Sequence, residues 1–479
     1  MMNKTKIVAT LGPACQDIKI LEGMIDAGMN VARINASHSD LDVIRSQVRT
    51  ARRAAANRDK EIGILLDLKG PKIRVGDIEG GRTSLNEGQE FELTTRTVDG
   101  NSSRVSISNT EVPEVLDRGN VVLLDDGALR LKVLGTSESG VFCKVETGGV
   151  LKSNKGVNLP GAKLNLSSVT EKDLAGLDLG LELEVDWIAL SFVRSAEDIR
   201  TLRAKLKERS SGLPIVAKIE KEEAIEDIEA VVREADAVMV ARGDLGVEMP
   251  LEKIPLLQKK IISVSGEHRK PVITATQMLE SMTTNPTPTR AEVTDVANAV
   301  FDGTDAVMLS GETAVGRYPV EAVDTMRRII EWTETALPYE KWMEKRRKWM
   351  TEGDVEAVCS AACELAIQAK AAAIVAATES GFTARQLSQL RPPQPILAAT
   401  PSKAIARNLS LFWGVCARLV AVHGSIEEMF SIAEKVARDE ELLPPGAMAV
   451  VTAGIKSQRE GDAQTTNTIR CIRNRGDEA

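Results

Sequence analysis

Five apolar, β-branched runs in this 479-residue chain end on side chains able to do chemistry. NVARIN ends on Arg33 and Asn35, IGILLDLKG on Asp67 and Lys69, PIVAKIE on Lys218 and Glu220, AVMVARGD on Arg242 and Asp244, and PVITATQ on Thr274 and Thr276. Strand side chains alternate, so Lys218 and Glu220 are expected on one face with Ile219 between them, and Arg242 and Asp244 likewise about Gly243. Buried charge is costly unless paired. One such pair reads as a structural salt bridge; five strand ends of this kind point to a reactive site. The carboxylates of Glu220 and Asp244 are too few for an all-protein calcium cage. They suit Mg²⁺, which keeps waters and takes substrate oxygens as further ligands. The cations Arg33, Lys69, Arg74 and Lys218 suit phosphate groups and developing negative charge. The three histidines are His38, His268 and His423, and only His38 lies beside a strand-end cluster. No Ser–His or Cys–His nucleophile pair is evident, which favours metal-assisted phosphoryl or enolate chemistry over covalent catalysis.

Positioning these residues requires strands whose C-terminal ends converge. Eight runs fit: KIVATLG, NVARIN, IGILLDLKG, DWIALSF, PIVAKIE, AVMVARGD, PVITATQ and AVMLSGE, with helix-like amphipathic stretches between them. Continuous apolar strands alternating with helices predict a parallel sheet covered on its outside, and eight in succession predict a closed (β/α)8 barrel with its site at the C-terminal strand ends. One interval breaks the rhythm. Residues 72–159 carry alternating patterns such as EFELTTRTV, SRVSIS, NVVLLDDG and ALRLKVL, expected to form a small β-domain inserted as a lid. The barrel then comprises residues 1–71 and 160–345. A helix through TMRRIIEWTETALPYEKWMEKRRKWM is expected to lead away from it. Residues 346–479 read as a separate α/β domain with strands AAIVAAT, PILAAT, VCARLV and MAVVTAG.

Composition narrows the class. With 43% hydrophobic but only 3% aromatic residues, the core must be built from Val, Ile, Leu, Ala and Met. A net charge of −8 argues against nucleic-acid binding as the main role, and no stretch reaches membrane-span length. The six cysteines are too sparse for a disulfide framework, and Cys359 and Cys363, one helical turn apart, read as buried thiols. The start, MMNKTKIVATLG, is expected to be a first strand and not a signal peptide, consistent with a cytoplasmic protein.

The strings TKIVATLGPA, ARINASH, LDLKGPKIRVG, SNKGVNLPG, LSFVR, AKIE, VARGDLGVE, ITATQMLESM and NPTPTRAEVTDVANAVFDGTDAVMLSGETA, in this order and with these gaps, resemble the pyruvate kinase family. The resemblance runs from Thr5 to about Pro319 and continues more weakly towards the C-terminus. It implies a glycolytic phosphotransferase that moves the phosphoryl group of phosphoenolpyruvate onto ADP to give pyruvate and ATP. It also implies a barrel with an inserted lid and a C-terminal α/β domain, usually as a homotetramer. Carried over by residue, Glu220 and Asp244 resemble the Mg²⁺ ligands, with Mn²⁺ as a substitute metal. Lys218 resembles the residue that stabilises the transferring phosphoryl group and the enolate. Thr276 resembles the threonine that contacts substrate and takes part in protonating the enolate. Gly243 and Asp244 would approach the substrate carboxylate through the backbone, and Arg33 would bind the transferring phosphate. Arg74 and Lys155, with Asn35 and His38, resemble the nucleotide contacts. Asn35, Ser37, Asp67 and the carbonyl of Leu68 occupy the monovalent-cation positions.

Departures from the family pattern carry their own expectations. In members that require K⁺, the position of Lys72 resembles a glutamate and that of Leu68 a threonine. A lysine ammonium there would substitute for the ion electrostatically, and Leu68 would remove a hydroxyl from the pocket, so K⁺ is not expected to be required. The TESGFT loop, with Thr378, Ser380, Gly381 and Thr383, resembles the family's sugar-phosphate effector loop, and hydroxyls and N–H groups ahead of a helix suit a phosphate. The closing segment IKSQREGDAQTTNTIR is longer than the family's usual one, which leaves the effector open between a sugar phosphate and a nucleotide. Two rivals share parts of the pattern. A magnesium-dependent aldolase or lyase acting on a pyruvate enolate would need the same carboxylates but has no use for a nucleotide lid, Arg74 or Lys155. A non-catalytic sugar-phosphate-sensing subunit would not need Lys218, Glu220, Asp244 and Thr276 intact.

Overall fold

The eight apolar runs form strands because their β-branched and small residues can be buried on both faces. In the computed structural model, which describes residues 3–37, 40–162, 164, 167–350, 353–421, 426–454 and 466–474, they are β1 (Lys6–Leu11), β2 (Val31–Asn35), β3 (Gly63–Asp67), β4 (Trp187–Leu190), β5 (Ile215–Ile219), β6 (Ala237–Ala241), β7 (Val272–Ala275) and β8 (Ala306–Leu309). Each is parallel to its neighbours, and β8 closes on β1 with Lys6 opposite Ala306. One set of alternate residues, including Val8, Val31, Leu65, Trp187, Val216, Met239 and Ile273, fills the barrel; the other, including Ile7, Ile34, Leu66 and Ile219, meets the surrounding helices.

The inserted segment is a β-structure with its own core around Phe91, Leu93, Val105, Leu131, Val141 and Cys143. Its main sheet has six strands, and a separate pair joins Arg82–Leu85 to Gly149–Lys152. It rests on the barrel mouth: Asn158 Nδ2 donates to Glu248 Oε1 at 2.9 Å, at the end of the helix Arg242–Glu248 that follows β6.

The opposite end of the barrel meets helices and turns of a C-terminal α/β domain, with Arg391 paired to Asp305 and Phe412 beside Trp187; the sheet of that domain is β9 (Ala373–Ala377), β10 (Ile396–Thr400), β11 (Val415–Leu419), β12 (Met448–Ala453) and β13 (Thr468–Arg473). Their order is β11-β10-β9-β12-β13, parallel except for β13, an edge strand that the sequence reading missed. The expected continuous helix after β8 is instead two, Pro319–Glu334 and Tyr339–Arg347, because Pro338 cannot supply the N–H a continuing helix needs. Among the described residues no helix is long and apolar enough to cross a membrane. All six cysteines are free, and Cys359 and Cys363 are buried in the helix Asp354–Gln368.

Candidate active site

Asp67, at the end of β3 and 1% exposed, organises the mouth. Its Oδ2 accepts from Arg33 Nε at 2.8 Å and pairs with Arg33 Nη2 at 2.7 Å, while its Oδ1 lies 3.3 Å from Lys218 Nζ. Arg33 is steadied further by Nη1 donating to Thr10 Oγ1 at 3.0 Å. Burial pushes the Asp67 carboxyl up, but Lys218 and Arg33 more than offset this and hold it below the usual range. Lys218, near the end of β5, also meets Glu220 Oε1 at 2.8 Å, so the alternation argument holds for this pair. Burial alone would lower the Lys218 pKa; the carboxylates of Asp67 and Glu220 win, and it lies above the ordinary lysine value. Lys218 is therefore cationic at neutral pH.

The sequence reading missed two parts of this network. Ser191 Oγ accepts from Lys218 Nζ and donates to the Leu68 carbonyl, both at 2.8 Å. Phe192, with φ 56°, donates its N–H to Glu220 Oε2 at 2.8 Å. The uncharged LSF string gives only a weak signal, a hydroxyl on the inward register at a strand end.

Arg242 and Asp244 do not share a strand face, because the chain turns into a helix at Arg242. Arg242 pairs with Asp295 at 2.7 Å, and Asp244 sits in the first helical turn. Nor do Thr274 and Thr276 belong together. Thr274 is buried in the barrel wall, bonded to Thr304 Oγ1 at 3.0 Å. Thr276, at φ 68°, brings Oγ1 within 2.7 Å of the Gly243 N–H.

The lid's two connections bring Arg74 and Lys155 together: Arg74 bridges to Gly156, and Val75 N donates to the Lys155 carbonyl at 2.9 Å. Arg74 Nη1 donates to the Asn154 carbonyl at 2.9 Å, and Lys155 pairs with Asp125 at 2.7 Å. Lys72 pairs with Asp126 at 3.2 Å and lines a hinge cleft shared with Phe192 and Lys221. Asn35 stands opposite Asp67 in the β2–β3 register, and its Oδ1 accepts from Ser37 N at 3.0 Å. Leu68 corrects one expectation. Its side chain is fully buried and packs at Gly176, where an added Cβ would stand 3.5 Å from it, so it lies against the helix Glu171–Glu182 and position 68 offers the mouth only a carbonyl. The expected loss of a pocket hydroxyl therefore does not apply. His38 lies outside the described residues.

The donor set fits a divalent cation. Arg33 and Lys218 pair with Asp67, Lys218 pairs with Glu220 as well, and Asp244 stands close enough for its charge to act on Glu220. Burial raises the Glu220 pKa, Lys218 draws it back, and the neighbouring charge of Asp244 raises it again. A cation between the two carboxylates relieves that repulsion. Among the described residues no group of three or more His, Cys, Asp or Glu is placed to hold a metal.

Against this geometry, the family described as pyruvate kinase, barrel domain, matches residues 2–323, and the pyruvate kinase alpha/beta domain matches residues 356–472. The chain belongs to the pyruvate kinase family. It is 43% identical over 472 residues to the pyruvate kinases of Sporosarcina psychrophila and Bacillus licheniformis, covering 98% of this chain and 80% of each relative. It is 44% identical over 471 residues to pyruvate kinase 2 of Synechocystis, covering 98% of this chain and 78% of the relative. A crystal structure of a pyruvate kinase from Cryptosporidium parvum superposes with a TM-score of 0.93 at 38% identity, covering 99% of this chain and 96% of that one. Within the pyruvate kinase C-terminal domain, the Thr378–Thr383 loop opens the helix Phe382–Leu390. Thr378 Oγ1 accepts from Gly381 N at 2.9 Å, Gly381 adopts φ 76°, and Ser380 Oγ accepts from Phe382 N at 3.4 Å. Thr383 is buried against Thr466.

Proposed function

We propose that this chain transfers the phosphoryl group of phosphoenolpyruvate to ADP, giving pyruvate and ATP. The observation that carries the reading is the charged Lys218 held between Asp67 and Glu220 at the mouth of a closed barrel. An ammonium fixed in that position can stabilise negative charge that develops as the phosphoryl group moves and the enolate forms, with no reorganisation at the moment of reaction. Arg33, its fork set by Asp67 and Thr10, faces the transferring phosphate. Thr276 and the Gly243 N–H stand on the side of the substrate carboxylate and the enolate carbon. Glu220 and Asp244 would hold Mg²⁺, or Mn²⁺ in its place, which would supply Lewis-acid chemistry there. Arg74 and Lys155, one on each lid connection, hold the nucleotide phosphates with Asn35 and His38. A fixed cation at Lys72, beside the mouth, makes K⁺ unnecessary.

Regulation and assembly complete the reading. The Thr378–Thr383 loop takes a sugar phosphate or a nucleotide phosphate. Self-association, as a homotetramer, is supported by uncovered apolar side chains: Leu251 and Leu256, 73% and 71% exposed, and Val293 and Phe301 on the helix Arg290–Asp302.

A coupled assay of pyruvate formation from phosphoenolpyruvate and ADP tests the activity. An aldolase or lyase would give no ADP-dependent turnover, and a non-catalytic subunit none at all. Glu220→Gln and Asp244→Asn are expected to raise the Mg²⁺ concentration needed for half-maximal activity, because two protein carboxylates leave little redundancy. If both variants keep the unmodified metal dependence, the metal assignment is wrong.

A further inference from the structure

The turn after β7 is strained and held from outside. Thr276 and Gln277 are consecutive non-glycine residues at φ 68° and 53°. Such conformations persist only where the surroundings over-determine them, and they cluster where strain serves function. The Thr276 hydroxyl itself donates to the Ala275 carbonyl at 2.7 Å, and one side chain adds restraint from outside the turn. Arg242 Nη2 donates to the Thr276 carbonyl at 2.7 Å, and its Nε donates to the Ala275 carbonyl at 3.2 Å. Its Nη1 is fixed by Asp295 at 2.7 Å and by Gln258 Oε1 at 3.4 Å. The guanidinium side chain is only 12% exposed, which strengthens these charged hydrogen bonds. The next residue, Gly243, gives its N–H to Thr276 Oγ1 at 2.7 Å, and the one after it is Asp244. The start of one short helix therefore carries both the N–H that meets the Thr276 hydroxyl and, one residue on, Asp244.

We propose that Arg242 is the positioning residue for enolate protonation: it clamps the strained turn after β7 so that the Thr276 hydroxyl stands over the enolate carbon in register with Asp244. This rests on the reading of Thr276 as the group on the proton-delivering side. In that half-reaction an O–H bond on the Thr276 side breaks, the enolate electron pair forms a C–H bond at the methylene carbon, and the C–O bond closes to the ketone. Phosphoryl transfer to ADP precedes it and draws on Lys218, Arg33 and the metal ligands. A purely structural Arg242 would affect both halves alike. A positioning Arg242 affects the second.

Two measurements on the full chain separate the halves. Proton NMR in D2O follows exchange of the pyruvate methyl protons for deuterium in the presence of MgCl2 and ATP. Quenched-flow single turnovers follow ATP formation from phosphoenolpyruvate and ADP. Arg242→Met is expected to slow exchange about 10²-fold while ATP formation falls by less than about tenfold, matching the pattern of Thr276→Val. Arg242→Lys, able to reach a carbonyl but not to span two and Asp295, is expected to fall between, and it carries the comparison if Arg242→Met does not fold. Equal losses in both measurements, or exchange within about twofold of the unmodified chain in Arg242→Met while Thr276→Val is slow, overturn the proposal. Unchanged exchange in Thr276→Val instead overturns the reading of Thr276, an outcome distinct from failure of the clamp alone.

Discussion

Lys218 keeps its charge in a buried position because two carboxylates answer it, and Ser191 gives its ammonium a third partner. A charge placed in this way contributes most when negative charge appears beside it. Lys218→Met is accordingly expected to cost about 10²-fold or more in kcat, with a much smaller change in the KM for phosphoenolpyruvate. Steady-state kinetics at saturating Mg²⁺ check this, and a loss expressed wholly in KM would refute the role. Arg33 and the Phe192 N–H still answer Asp67 and Glu220 in the variant, so the mouth stays assembled. At this scale the sequence was legible where charge sat on a strand of known alternation, as at Lys218 and Glu220. It was silent where the backbone decides: nothing in VARGD announces a helical turn at Arg242, and nothing in TATQ announces two left-handed residues.

The lid is tied to the barrel by two connections whose lysines both meet the same hairpin turn. Asp125 and Asp126, each at φ 54°, join the strands Val121–Leu124 and Leu129–Ser137 and pair with Lys155 and Lys72 respectively. Lys72 thus brings a positive charge into a cleft also lined by Phe192, whose N–H holds Glu220. With glutamate in its place, that carboxylate and Asp126 would repel each other unless a cation stood nearby. The unmodified chain is expected to be fully active in buffers whose only monovalent cation is a bulky tetraalkylammonium, and Lys72→Glu is expected to acquire activation by K⁺. Strong K⁺ activation of the unmodified chain at saturating Mg²⁺ and substrates would count against the idea. Elements with a strong period were legible, which is why the eight barrel strands and the inserted β-segment could be read. The edge strand Thr468–Arg473 was not, because it alternates weakly and only pairing with β12 makes it a strand.

Across the whole molecule, the barrel floor and the C-terminal domain share one apolar core, with the Trp187 and Phe412 rings 6.1 Å apart. Charges are buried in the same seam. Arg391, 1% exposed, pairs with Asp305 at 2.9 Å, and Lys6, 2% exposed, donates to the Val415 carbonyl at 2.6 Å. Lys6 stands out because its ammonium has no carboxylate at contact distance among the described residues. Burial lowers its pKa from 10.5 to about 8, against the weaker opposing influence of Cys416 on β11 and of Glu334 on the helix Pro319–Glu334. The sign of the consequence follows from proton counting. Below about pH 8 Lys6 is charged in both states and contributes no slope. Between about 8 and 10.5 the unfolded chain still holds a proton that the folded chain has released, so stability rises with pH. The full relief is on the order of 3 kcal/mol. Burial raises the Cys416 thiol pKa while Arg418 and Lys6 lower it, so Cys416 is replaced by Ala in both of the chains compared. The measurement is a difference: urea unfolding of Cys416→Ala minus that of Cys416→Ala with Lys6→Met at each pH, which cancels what the two share. That difference is expected to be flat below about pH 8 and then to move in favour of the chain that keeps Lys6. A difference that stays flat to about pH 10 would show that the Lys6 ammonium is not desolvated at the seam, and that the two domains meet less tightly than the shared core implies.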